Sequence, residues 1–433
     1  MRYLLQGAVA GWRWLLIGLL SQGMVAQATP SARRFVLTAY GAKGDNQTVN
    51  TVAVQAAIDA ASAAPGGGTV VVPAGVFRTG AVFLKPEVSL FVEQNGVLKG
   101  TANPADYPQV ATRWEGTDRD WTAALLNAEN LHDITISGPG TIDGAGDEWV
   151  RQAQELRLRT PTPTPGTHYG RPRLICLQNC QRVRLTGLRL HNQAVWCLHI
   201  LYCQRVTVAG LAITANHNIP SSDGIDIDSS ERVRIANCSI DVNDDCISIK
   251  SGKDADGRRV NRPSADILIE KCRFGYGHGG VAMGSEVSGG IRRVLVRRCS
   301  AAAGNWAPIR FKSQPSRGGV VEDITFRRIQ LDSARKAVEF NLAWRMVPPL
   351  APAAPVLTQV RRVRIIGVKG TAVAVGDLHG LPDSPIQGVQ FRRCVIRARR
   401  GLLLEHVHGI RLRGLRAQVQ QGPTVVHGAN VQD

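Results

Sequence analysis

"RVRIANCSI", residues 232–240, alternates apolar Val233 and Ile235 with arginines, breaks for two residues, and returns Cys238 and Ile240 to the same side. Such period-two alternation marks a half-buried strand. The phrase recurs as "DITISGPGTI" (133–142), "RVRLTGLRL" (182–190), "RVTVAGLAI" (205–213), "DILIEKCRF" (266–274), "RVLVRRCS" (293–300), "DITFRRIQL" (323–331), "RVRIIGVKG" (362–370), "GVQFRRCVI" (388–396) and "GIRLRGLRA" (409–417). Most repeats begin 21–34 residues after the last, with the variation confined to the connecting segments. A strand this short cannot bury its apolar edge alone, so each turn must stack on the next. With no helical pattern between the repeats, the chain is read as all-β, a parallel β-helix with rungs about 4.8 Å apart. A leucine-rich horseshoe would share the period, but its leucine and asparagine signature is missing.

Residues 29–433 are therefore expected to form a single β-helix domain, despite a length that by itself suggests two or three domains. "NTVAVQAAIDAASAA" (50–64) has apolar residues at helical spacing, with Asn50 or Thr51 as N-cap. It is expected to cover the front of the stack, whose open strand edge would otherwise invite aggregation, and "PGGGTVVVPAGVF" after it to begin the strands. No comparable cap follows Ile410.

Two properties bound the function. Residues 1–28 carry Arg2 and Arg13, an apolar run from Trp14 to Leu20 and a small-x-small site at Ala26-Gln27-Ala28, the pattern of a secretory signal. The run is shorter than the ~20 residues a membrane span needs, so the mature protein is expected outside the cytoplasm, secreted or periplasmic, with no membrane attachment. The formal charge is +18, and removing two arginines leaves 18 − 2 = +16, which favours a polyanionic partner. Nucleic acid is argued against by export and by the lack of stacking aromatics or zinc-finger spacing; acidic polysaccharide fits both. The nine cysteines form no zinc-type CxxC pair and several recur at matched repeat positions, as stacked core residues would.

Equal offsets within a solenoid are neighbours in space. "DGIDIDS" (223–229), "DCISIKS" (245–251), "GGVAMGS" (279–285) and "APIRFKS" (307–313) align as four successive strands. Their outward columns run Asp223, Asp245, Gly279, Ala307; then Asp226, Ser248, Ala282, Arg310; then Asp228, Lys250, Gly284, Lys312. Asp244 and His278 follow Val233 and Ile267 by the same 11 residues, so they too should stack. One exposed face is thus expected to carry the carboxylates Asp223, Asp244 and Asp245, then His278, then Arg310 and Lys312. Three carboxylates this close cannot all ionise freely, so at least one pKa should rise. An acid beside ionised carboxylates suits glycoside hydrolysis, which needs a proton for the leaving oxygen and a base for water. Arg310 and Lys312 suit a substrate carboxylate, and Gly279 and Gly280 leave room for a sugar. Asp226 and Asp228 are read as solvated rim or turn residues.

At these residues the chain resembles the polygalacturonases, glycoside hydrolase family 28. "SSDGIDID", "NDDCISIKSG", "GHGGVAMGSE" and "IRFKS" carry the resemblance, which extends from "YGAKGDNQTVNTVAVQAAID" and "GPGTIDGAGDEW" over nearly the whole mature chain. It implies a right-handed β-helix that cleaves α-1,4-galacturonosyl links of pectin with inversion, needing no metal or cofactor. It implies Asp244 as general acid, Asp223 and Asp245 as the pair that activates water, His278 as support for the acid, and Arg310 and Lys312 as holders of the substrate carboxylate. The family commonly has Asn-Thr-Asp where Ser221-Ser222-Asp223 stands, which leaves the preferred substrate open, whether homogalacturonan, rhamnogalacturonan or another uronic-acid glycan. Two longer loops, 251–266 and the proline-rich 341–356 with Trp344, would favour attack from chain ends, and a monomer is expected. The alternatives are a calcium-dependent lyase on the same scaffold, marked by unsaturated products and chelator sensitivity, and a non-catalytic carbohydrate-binding or adhesin β-helix, in which Asp244→Asn would change nothing.

Overall fold

The computed structural model describes residues 33–159, 170–345 and 351–432. The predicted signal at 1–28 lies outside them. A single parallel sheet winds from Arg34–Val36 to Val431–Gln432. A typical turn has three strands, such as Glu231–Ala236, Ser239–Asp241 and Ile247–Lys250, each pairing in parallel with its counterparts one turn away.

The alternation read from the repeats sets the register. One inward column runs Leu185, Val208, Ile235, Ile269, Val296, Phe326, Ile365, Phe391. All eight are buried, and each fully buried side chain of this size contributes roughly 1.5–3 kcal/mol by leaving water. A slip of one residue would turn the whole column to solvent, which is why the register is so strongly specified. Ile235 and Ile240 pair with Ile269 and Phe274, the residues at the same offsets in the next repeat. All nine cysteines are buried and free.

Helix α1 (Thr51–Ala63) packs Val54, Ala57, Ile58 and Ala61 against the first turns. Asn50 precedes it, but its side chain does not cap the helix. Buried Asn50 instead accepts from Lys43 N at 2.7 Å and donates to the Lys43, Thr48 and Arg78 carbonyls, fixing the entry of the chain. Two strands, Arg34–Val36 and Asp45–Val49, come before the helix and pair with Gly68–Val72 and Gly75–Thr79, so the strands start earlier than the sequence suggests. Two further helices, α2 (Gly146–Arg159) and α3 (Asp254–Val260), lie in connecting segments.

The strands Gln109–Trp114 and Thr117–Thr122 depart from the parallel pattern as an antiparallel hairpin. Its turn residues Glu115 and Gly116 both have positive φ, 45° and 77°, as a two-residue hairpin turn requires. This hairpin folds back over the third strands of the turns and decides what the site looks like.

Candidate active site

The site is built where the third strands begin. Gly224 N donates to Asp245 O, Cys246 N to Gly279 O, and His278 N to Asp244 O, so three successive rungs present their entrance residues in line. One oxygen from each of Asp223, Asp244 and Asp245 lies within 4.8 Å of the others. His278 Nδ1 is 3.2 Å from Asp244 Oδ1, which also accepts from Asp245 N at 2.9 Å. Asp245 meets Lys312 Nζ at 2.6 Å and Arg310 Nη1 at 3.5 Å. The structure therefore brings the six charged candidates together.

Their protonation is uneven. Burial, reinforced by the charges of Asp226 and Asp244, pushes Asp223 well above the ordinary carboxylate range. Burial acts on Asp244 in the same sense but is outweighed by the His278 hydrogen bond and the Lys312 charge, which hold it below that range. His278, bonded to Asp244, is raised in turn. The neighbouring carboxylates are thus shifted in opposite directions, Asp223 toward its protonated form and Asp244 toward its ionised form.

Gly279 and Gly280 play different parts. A Cβ at Gly279 would lie 2.7 Å from Asp245 Oδ1, so this glycine lets the carboxylate and Arg310 close up. A Cβ at Gly280 would meet Phe274 and Pro308 at 2.9 Å, which makes Gly280 a packing residue turned away from the cleft.

The face is exposed only in part: His278 is exposed and Asp244 and Lys312 are half-buried, but the other charged candidates are covered, and Asp226 and Asp228 are not rim residues. Asp226, Asp228 and Asp245 are fully buried, and Lys250 and Arg310 are 4% exposed. The cause is the hairpin together with residues from later turns. Arg113, on the hairpin, donates to Asp228 and Ser229 at 2.9 and 2.8 Å through Nη1 and to Asp118 at 2.9 Å through Nε. Arg113 and His199 hold Asp228 below the carboxylate range despite its burial. Arg173 can only donate, so His199 Nδ1 accepts at 2.7 Å, and burial pushes that imidazole down to about 4. Trp114 stacks on Trp121, ring centroids 4.6 Å apart, and against Trp196 at 4.7 Å. Lys250 sits over Trp196 and pairs with Glu286 at 3.1 Å. Burial opposes ionisation of Glu286, but Lys250 and Arg317 bring it down to about 2. Asp226 faces Lys250 at 3.7 Å and the buried Asp223, and burial raises it to about 8.

Of the two loops expected to shape the cleft, 251–266 contributes α3, whose Asp256 accepts from Asp118 N on the hairpin. From 341–356, Trp344 lies over Arg310 and Lys312, 4.7 and 5.9 Å from ring centre to charge. Residues 346–350 lie outside the described residues. The hairpin itself is absent from the sequence reading, though "RWEGTDRDW" offered a signal: Glu-Gly between two aromatic-bearing runs.

The family model for glycosyl hydrolases family 28 matches residues 67–379. The chain belongs to this family. It is a glycoside hydrolase, and its fold is a right-handed parallel β-helix. A probable polygalacturonase of Vitis vinifera is 31% identical over 365 residues, 82% of this chain and 72% of the relative. An exo-poly-alpha-D-galacturonosidase of Dickeya chrysanthemi is 31% identical over 349 residues, 71% of this chain, which spans only 57% of that relative. The crystal structure of a hyperthermoactive exopolygalacturonase from Thermotoga maritima superimposes with a TM-score of 0.76 at 28% identity, covering 92% of this chain and 93% of the other.

Proposed function

We propose that this family 28 hydrolase cleaves α-1,4-galacturonosyl linkages of pectin or polygalacturonate by acid-base chemistry with inversion. One observation carries the reading: the oxygens of Asp223, Asp244 and Asp245 converge within 4.8 Å beside Lys312 and Arg310. The carboxylates supply a proton and a base. The two cations, held by Asp245 in the free protein, are placed to take the carboxylate of a uronic acid.

In the free protein Asp223 is shifted toward its protonated form, while His278 and Lys312 favour the ionised form of Asp244. A substrate carboxylate that engages Lys312 weakens that cation's pull on Asp244. The proton shared by the trio then passes to Asp244, the group matched to the general acid, and leaves Asp223 and Asp245 to activate water. Interacting carboxylates titrate as one unit, so a redistribution of this kind requires no new proton source.

Action from chain ends is supported by the wall that the hairpin and α3 raise along the third strands. At its tip Gly116 accepts from Lys253 N at 2.8 Å, and a Cβ there would meet Lys253 and Glu286, so the tip is seated directly on the barrel. Residues 1–28 are taken as an export signal, giving a secreted or periplasmic monomer; no helix among the described residues is long and apolar enough to cross a membrane.

Product analysis on defined pectic oligosaccharides tests the reading. The native protein should release saturated products of one size from polygalacturonate, the first anomer seen by NMR being β, with chelator present. Asp244→Asn should abolish reducing-sugar release without loss of fold. Unsaturated products, an α first anomer, or an active Asp244→Asn protein would each overturn the corresponding part.

A further inference from the structure

The corner between the first and second strands of a turn lies on a different face from the cleft, which follows the third strands. In successive turns one residue with positive φ makes this corner: Asn237, Lys271, Arg298, Arg328, Gly367 and Arg393, at 53–67°. Backbone bonds from Asn237 N to Glu270 O, Lys271 N to Arg297 O and Gly367 N to Arg392 O stack these corners. The position just before the corner forms a second column: Glu270, Arg297, Arg327, Ile366, Arg392.

In the lower turns the charges are matched. Glu270 binds both Arg234 and Arg297, each at 2.7 Å. Above Arg297 this column carries no acid, and no ion pair engages Arg327, Arg328, Lys369 or Arg393 among the described residues. Gly367 interrupts the stacked corner side chains between Arg328 and Arg393. The gap is a cavity of about 400 Å³ ringed by Arg327, Arg328, Lys369 and Arg393, with no carboxylate in its lining. Arg393 and Arg392 lead into a neighbouring depression of about 830 Å³ that holds Arg411 and Arg413 and is again free of acids. The backbone does not demand glycine at 367, since arginine occupies the same conformation directly below and above. A Cβ there would only touch Arg328 at 3.8–3.9 Å, so the missing side chain is what keeps the cavity open.

We propose that this corner is a second, non-catalytic binding site for an acidic polysaccharide, with the cavity at Gly367 receiving one uronate carboxylate and the arginines above it the following ones. The assignment of a uronan rests on the substrate reading above. The cations are spread over successive rungs about 4.8 Å apart, which suits a polymer with one carboxylate per sugar better than a compact anion, and planar guanidinium groups match carboxylates in geometry. Such a site would hold the protein on insoluble or long-chain substrate while the cleft works on a chain end.

The test measures retention on immobilised polygalacturonate in the cold, at low and high NaCl, together with turnover of trigalacturonate, which is too short to reach both faces. Arg328→Gln/Arg393→Gln removes charge; Gly367→Gln fills the cavity and leaves every charge in place. Each should lower retention at low salt roughly tenfold, with trigalacturonate turnover and melting temperature unchanged, and soluble polygalacturonate should release the native protein better than dextran sulfate. Native-like retention of either variant overturns the proposal: for Gly367→Gln it would mean that net charge alone binds the polymer. Preference for dextran sulfate overturns the uronan assignment. If the native protein leaves trigalacturonate intact while both variants lose retention, the cleft reading falls and this site stands.

Discussion

Replacing Arg113 by methionine should unlatch the hairpin from the barrel. Both side chains of the Arg113–Asp228 pair are fully buried, 2.9 Å apart. Removing one partner of such a pair costs roughly 3–5 kcal/mol, because the other charge stays buried without compensation. What remains for Asp228 is the Ser229 hydroxyl, donating at 3.1 Å, and His199 at 3.7 Å, whose imidazole burial keeps neutral at neutral pH, so no opposing charge is left beside it. The pH dependence has a definite sign. In the native protein the folded pKa of Asp228 is depressed, so its contribution is fully present above the ordinary value of 3.8 and is lost as pH falls below it. In Arg113→Met the folded pKa should instead rise above 3.8, so that the variant loses further stability as pH climbs from about 4 through that raised value. Urea unfolding, followed by the fluorescence of Trp114, Trp121 and Trp196, measures this at pH 5 and pH 8. The variant's deficit should be larger at pH 8, and Arg113→Met/Asp228→Asn should recover more than half of it, since the double variant has no stranded charge. A deficit under about 1 kcal/mol, the size expected of a surface pair, or no recovery in the double variant, would refute the latch.

Other outcomes follow from the same network. Asp226 has a folded pKa raised to about 8 from 3.8, so it costs stability progressively as pH rises between those values; the melting temperature of Asp226→Asn should exceed the native one by more at pH 8 than at pH 5, and a pH-independent difference would count against this. His278→Ala removes the largest influence lowering Asp244. The alkaline limb of kcat/KM should therefore move to higher pH, and a limb that stays or moves down would exclude Asp244 as the group that must be protonated. Trp344→Ala should raise KM for polygalacturonate severalfold with kcat nearly intact, because a cation–π platform under Arg310 and Lys312 is worth ~0.5–2 kcal/mol; equal loss in kcat would place Trp344 in the chemical step.

Much of the barrel was legible because a period-two pattern repeated on a solenoid leaves few registers open. Ile225 over Ile247 and Ser248 under Ala282 follow from counting alone. The meeting of Asp244 with His278 was legible for the same reason. What counting cannot show is whether an outward residue reaches water. Asp228 is outward and also fully buried, because Arg113 covers it from 115 positions away in the chain. Contacts of that separation leave no local periodicity, so a column of charges looked like a rim when it was a floor. Gly280 was misplaced by a similar limit: its hydrogen faces Phe274 and Pro308, and a composition of small residues does not say which side is empty. The opposite shifts of Asp223 and Asp244 arise because burial dominates at the first while His278 and Lys312 outweigh it at the second, a balance of distances that no spacing encodes.

The hairpin Gln109–Thr122 is spliced between two rungs and touches the later turns through side chains and one backbone bond at its tip, with no strand of the barrel's ladder running through it. Its length and tip can therefore vary without shifting the register of any turn, as long as a cation remains to meet Asp228. Descendants of this barrel could trade one hairpin for another as interchangeable parts, altering how much of a polymer enters the cleft while inheriting the catalytic rungs unchanged.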